Sequence, residues 1–180
     1  MHEALPYGTG TIRQLRPSDL PRFHDHLLRL GAISRRDRFN GFTDDAYVAA
    51  YAQRSFHDGT TVIGYVEDDR VLGAAELHER AEDAEPTAEI AFSVEPHLQG
   101  RGIGGRLFER LVAHASALGY SRLLVTTHSE NSAMKALARR YRARLTFVAG
   151  ETVGIIDLPP APGAEATAAL LARGGPAPIG

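Results

Sequence analysis

EPHLQGRGIGG, residues 95–105, is the stretch on which the reading of the whole chain turns. An apolar run, AEIAFSV at 88–94, leads into it, and a helical pattern over 103–119 leads out. Glycines between a strand and a helix free the backbone to turn and, without a Cβ, let a ligand approach the main chain closely. Several N–H groups then face one concavity with the positive end of a helix dipole behind it, a site suited to phosphate or pyrophosphate. Arg101 adds a cation at the rim. The stretch predicts a phosphorylated ligand held mainly by backbone, its other arm running back along the preceding strand.

Three motifs compete for these letters. Gly100, Gly102 and Gly105 satisfy G-x-G-x-x-G, but a dinucleotide fold takes its glycines straight off the strand and has an acidic residue about 20 positions on. Here residues 95–99 intervene, position 120 is Tyr, and too little chain follows for a second mononucleotide half. A P-loop needs Gly-Lys-Ser/Thr after the glycines, which is missing. The third pattern, Gln99-x-x-Gly102-x-Gly104, resembles the Q/R-x-x-G-x-G/A acyl-CoA pyrophosphate loop of the GNAT superfamily of N-acyltransferases. The plain structural alternative is a glycine-rich turn without a ligand.

Outward from the loop, the preceding strand at 87–94 alternates, with Ile90, Phe92 and Val94 on one side and Glu89, Ala91 and Ser93 on the other. Residues 60–67 and 71–78, joined by Asp68-Asp69, complete an antiparallel meander with it. On the other side, Ile103, Leu107, Phe108, Leu111, Ala115 and Leu118 form one helical sector, with His114 near it as a buried, hydrogen-bonded histidine. Residues 121–127 form a buried strand parallel to 87–94, because a helix joins the two. Asn131 or Ser129 then caps a helix carrying Met134, Leu137 and Tyr141, and residues 144–149 and 152–158 form a final hairpin.

Toward the N-terminus, residues 1–9 read as a loose arm and 10–16 as a short strand. Pro17-Ser18-Asp19 starts a helix that ends at Gly31, on which His24 and His26 lie on different faces as surface polar residues. SRRDRFNGF at 34–42 reads either as a solvated short helix with Phe39 and Phe42 docked on the core, or as a wall of an acceptor site in which Arg35, Arg36 or Arg38 meets an acidic substrate. Thr43-Asp44-Asp45 caps a further helix with Tyr47, Val48 and Tyr51 turned inward. The Pro-, Ala- and Gly-rich segment 159–180 reads as a mostly disordered tail with a helical turn or two at 165–173.

With 180 residues, 43% hydrophobic and 23% charged, the chain suits one domain with a sizeable core. A net charge of −2 argues against a nucleic-acid binder, and the absence of cysteine excludes disulfides, thiolate catalysis and Cys-ligated zinc. Neither a signal sequence nor an apolar run near the ~18 residues of a membrane span is present, so the expectation is a cytoplasmic protein, with a possible homodimer.

Order and motifs over 10–158 together resemble a GNAT acetyltransferase domain. TIRQLRPSDLPRF, SRRDRF and NSAMKALARR are similar, more narrowly, to the catalytic domain of bacterial Pat-type protein lysine acetyltransferases. The resemblance implies an α/β (α+β) fold with a mixed, splayed central sheet of about six to seven strands flanked by helices. It implies acetyl-CoA as cosubstrate and no metal. Main-chain groups of Phe92, Ser93 and Val94 would pair with pantetheine; Gln99, Gly100, Arg101, Gly102, Ile103, Gly104 and Gly105 would hold the pyrophosphate; Asn131 and Met134 would reach the pantetheine arm. One departure matters: such enzymes often carry N-x-x-A-x-x-L-Y-x-x-x-G-F, whose Tyr protonates the leaving thiolate, whereas here Ala138 holds that position and Tyr141 lies three residues on.

Acyl transfer to an amine needs a base for the incoming ammonium, a polarised thioester carbonyl and a route for the proton. Glu89, on the polar face of the strand entering the loop, is the first candidate base and Glu76 the second. If the strands pair with 76 opposite 89, like-charge repulsion raises one carboxyl toward neutrality. His78 and His128 are weaker alternatives, Tyr141 is a substitute acid, and a main-chain N–H near Val94 would polarise the carbonyl. The acceptor is an amine, on a protein lysine or a small molecule; the competing classes are an acyl-CoA-binding module without activity and a nucleotide-dependent oxidoreductase.

Overall fold

The computed structural model describes residues 9–159. The expected arm and tail, with the short helix at 165–173, lie outside the described residues except for Thr9 and Pro159. The elements run β1 (Thr11–Gln14), α1 (Leu20–Arg29), α2 (Ala32–Phe39), α3 (Asp45–Arg54), β2 (Thr60–Glu67), β3 (Arg70–Glu79), β4 (Thr87–Val94), α4 (Ile103–Ala117), β5 (Arg122–His128), α5 (Ser132–Arg140), β6 (Arg144–Val148) and β7 (Glu151–Asp157). The seven strands make one mixed sheet in the order β1-β2-β3-β4-β5-β7-β6, flanked by helices as the sequence predicts.

Local chemistry accounts for the path. Asp68 and Asp69 both adopt left-handed backbone, φ 49° and 59°, the geometry that lets a two-residue turn follow the twist of β2 and β3. Because α4 carries the chain across the sheet, β5 returns parallel to β4, while the other neighbouring strands are antiparallel. Ile103, Leu107, Phe108, Leu111 and Ala115 of α4 are buried against one face of the sheet. Phe23 and Leu27 of α1 with Val48 and Ala52 of α3 fill the other. No helix among the described residues is long and apolar enough to cross a membrane.

The register holds the feature that positions the site. β4 pairs with β3 along its length, Ala88 opposite Glu79 through Val94 opposite Gly73. With β5 it pairs only at Thr87–Arg122, Ala88–Leu123 and Glu89–Leu124. Beyond Glu89 that ladder stops, and the sheet opens into a V whose arms are β4 and β5.

Several expectations are corrected. Glu76 lies opposite Ala91, and Glu89 opposite His78, so the two carboxylates do not face each other. His26 is fully buried rather than on the surface, because it shares the inward side of α1 with Phe23 and Leu27. Phe42 is 96% exposed: Asn40 ends α2 in left-handed backbone, φ 54°, and carries the next residues off the core, leaving Phe39 alone to pack on Tyr51. Tyr47 is 44% exposed, and Leu118, beyond the end of α4, is 56% exposed. His114 is only half-buried.

Candidate active site

The glycine loop sits at the open end of the V. After β4, Pro96–Leu98 form a single 3-10 turn, and Gly100 and Gly102 take φ 73° and 78°, left-handed values that side chains rarely adopt. Gly102 is the N-cap of α4 and no side chain caps that helix, so its first N–H groups stay directed out of its end. A Cβ on Gly104 would meet only Leu137 Cδ2, at 3.9 Å, so this glycine leaves open space beside the helix start. Gln99 braces the loop instead of projecting into it: its Nε2 donates to Val94 O at 2.9 Å and to Ser34 Oγ at 3.2 Å. Arg101 is exposed at the rim.

A cleft of about 340 Å³ joins this loop to the fork of the V. Its walls are β4 at Phe92, Ser93 and Val94, the loop at Gln99, Gly100 and Gly102 to Gly105, the start of α5 at Asn131, Met134 and Leu137, and α2 at Ile33, Ser34, Asp37 and Arg38. Thus the coenzyme residues predicted from sequence, Arg101 apart, line one cavity. Asn131 accepts from Met134 N and donates to Thr127 Oγ1, both at 2.9 Å, which fixes the start of α5 against β5. Tyr141 does not line the cleft. Its ring stacks on Phe108 at 4.0 Å, its hydroxyl donates to Gly105 O at 3.5 Å, and burial raises its pKa.

Glu76, Ala91, Ser93, His78 and Glu89 share the sheet face toward α1, α2 and α3, as cross-strand partners must. Glu76 is fully buried and saturated. Arg38 donates to it at 2.5 Å, the Tyr51 hydroxyl at 2.7 Å and Ser55 Oγ at 3.3 Å, and His78 Nε2 lies 3.4 Å away. Burial alone would push this carboxyl up, but the Arg38 guanidinium and His78 outweigh it and hold it at about 2. Glu76 is thus held below the ordinary carboxylate range, the reverse of what a facing carboxylate would do to it. Glu89 is freer, its side chain 39% exposed and its nearest cation Arg80 at 3.7 Å. It stands at the pinch of the V, just before the cleft opens, and does not itself line the cleft.

A second buried chain reaches the cleft, unforeseen in the sequence. Ser93 Oγ lies 2.8 Å from Nε2 of His26, whose Nδ1 is 3.4 Å from Glu95 Oε1. Arg29 Nε donates to the same carboxylate oxygen at 2.8 Å. Burial pushes the Glu95 carboxyl up, yet the bonds from His26 and Arg29 outweigh this and lower its pKa, while burial lowers that of His26. An ionised carboxylate only accepts, so His26 carries its proton on Nδ1 and Nε2 accepts from the Ser93 hydroxyl. The available signal was His26 at i+3 from Phe23, on the apolar face of α1.

A family model described as the Acetyltransferase (GNAT) family matches residues 27–142. No curated protein sequence matches the chain significantly. Solved structures do. The GNAT domain of S. lividans PAT superposes with a TM-score of 0.75 at 20% identity, covering 84% of this chain and 92% of that one. A phosphinothricin acetyltransferase from Sinorhizobium meliloti, solved with AcCoA, gives 0.63 at 19% identity, covering 84% and 89%. The PaiA N-acetyltransferase from Thermoplasma acidophilum, solved with coenzyme A, gives 0.62 at 15% identity, covering 83% and 99%. These likenesses concern the fold.

Proposed function

The chain belongs to the acetyltransferase (GNAT) family, and from that premise we propose that it transfers an acetyl group from acetyl-CoA to a primary amine by direct attack, with a protein lysine as the acceptor class. One observation carries the reading: the β4–β5 ladder ends at Glu89, and the remainder of β4, unpaired on its β5 side, leads to an uncapped helix start built on Gly100, Gly102 and Gly104. An extended pantetheine arm fits an opened ladder, where main-chain groups bind it as a strand would, and a diphosphate fits the N–H groups of α4. Two solved relatives of this fold hold acetyl-CoA or coenzyme A, which supports the choice of ligand.

In this proposal the pyrophosphate lies against residues 99–105 and the pantetheine along Phe92, Ser93 and Val94, with Asn131 and Met134 on its far side. The acceptor arrives as an ammonium and loses one proton to Glu89 through water. Glu76 is a poor base at neutral pH because Arg38 holds it ionised; it anchors Arg38 in the cleft wall. The neutral amine attacks the thioester carbon, and a main-chain N–H near Val94 stabilises the oxyanion.

The test is a screen of lysine peptides and small amines with acetyl-CoA, read by release of free thiol. Turnover on peptides supports the proposal, turnover on small amines alone replaces the acceptor class, and coenzyme binding without thiol release from any amine would leave a binding module.

A further inference from the structure

Attack by a neutral amine produces an intermediate with a cationic nitrogen and an oxyanion, and its collapse expels a thiolate. One proton must leave the nitrogen and one must reach the sulfur. The proton-carrying side chains that line the cleft among the described residues are few. Asp37 is paired to Arg36 at 3.1 Å, Arg38 is committed to Glu76, and Ser34 is hydrogen-bonded by Gln99. Tyr141 stacks on Phe108, donates to Gly105 O and does not line the cavity. Ser93 differs from all of these: it lines the cleft and its hydroxyl sits on a fully buried imidazole that is backed by an anchored carboxylate.

We propose that Ser93, His26 and Glu95 form a proton shuttle that carries the amine's second proton to the departing sulfur, with Ser93 as the catalytic hydroxyl and His26 and Glu95 positioning and charging it. This deepens the acetyltransfer reading and rests on it. The step balances without any further reagent. The amine nitrogen bonds to the carbonyl carbon as the C=O pair moves onto oxygen. A nitrogen proton passes to Ser93 Oγ while the Ser93 proton moves to His26 Nε2, giving an imidazolium opposed by the Glu95 carboxylate. When the carbonyl re-forms and the C–S bond breaks, the relay runs backward: Ser93 Oγ delivers its proton to sulfur and regains one from Nε2. The products are amide and free thiol, and the three side chains return to their starting states.

The geometry gives each member a reason. The 2.8 Å contact is a full hydrogen bond, short enough for proton transfer. Glu95 has two donors on one oxygen, Arg29 Nε at 2.8 Å and His26 Nδ1 at 3.4 Å, so the imidazole is fixed in one tautomer and the imidazolium, when it forms, meets a charge already in place. Arg29 also donates to Val71 O at 2.9 Å, tying this carboxylate clamp to the start of β3.

The test compares wild type with Ser93→Ala and Ser93→Thr, using acetyl-CoA and the best amine from the screen. Ser93→Ala should lower kcat by roughly 100-fold, with acetyl-CoA affinity by calorimetry within about twofold of wild type. Ser93→Thr, which keeps a hydroxyl, should recover most of that loss. His26→Gln should cost about as much as Ser93→Ala, and the double variant no more than either, since the residues act as a unit. An unchanged kcat in Ser93→Ala, or a loss confined to KM, overturns the shuttle while leaving acetyltransfer standing. Absence of wild-type turnover on every amine overturns both.

Discussion

Two carboxylates on one sheet face, Glu76 and Glu89, have opposite chemical fates because of their neighbours. Glu76 has four polar partners within 3.4 Å and is fixed as an anion; Glu89 has one cation at 3.7 Å and faces solvent. A base must exchange protons with water and substrate, which favours the less encumbered group. Glu89→Gln is therefore expected to lower kcat by about 100-fold with acetyl-CoA affinity unchanged, measured by steady-state kinetics and calorimetry. Normal turnover would remove Glu89 from the mechanism. Arg38→Met strands the buried Glu76 charge and should cost about 3–5 kcal/mol in urea unfolding, the range for breaking a buried ion pair from one side; loss below about 1 kcal/mol would mean the pair is exposed in solution.

At the scale of elements, the loop and the start of α4 act as one unit. Gly104 has room for a side chain in the fold but not alongside a bound diphosphate, so Gly104→Asp should abolish coenzyme binding in calorimetry while leaving the thermal midpoint of the free protein close to wild type. Retained affinity would put the phosphates elsewhere. This unit was legible in the sequence because its information is local: glycine spacing, the apolar run before it and the 3.6-residue sector after it. The limits of β2 and β4 were legible for the same reason. The β3–β4 register was not, since the loop at 80–86 leaves the offset free, and a shift in pairing opposite Glu76 changes its neighbour from a carboxylate to Ala91. The Ser93–His26–Glu95 chain was hidden by distance, the serine and the histidine being 67 positions apart in sequence. Phe42 was misread because a left-handed Asn40, invisible in a hydrophobic pattern, turns the chain outward.

For the whole molecule, ion pairs tie the helical layer to the sheet and make the fold sensitive to acid. The Arg13 guanidinium, donating to Asp19, holds that carboxyl at about 2 against an ordinary 3.8, and Arg38 holds Glu76 at about 2 against 4.5. Groups depressed on folding contribute stability that is complete above their unfolded values and is lost as pH falls through the folded ones. Thermal midpoints should thus be level down to about pH 5 and decline toward about pH 2, and Arg38→Met should show a shallower decline. A wild-type midpoint unchanged across that window would contradict the pairing.

The fork between β4 and β5 also bears on how long the protein survives. If the coenzyme's arm occupies it, the cosubstrate serves as a removable seam of the fabric, and at a thousandfold excess over its Kd it would add about 4 kcal/mol to the stability of the whole. Depletion of the coenzyme in both its free and acetylated forms would then loosen the enzyme as well as idle it, leaving main-chain edges at the fork more open to proteases and to other chains.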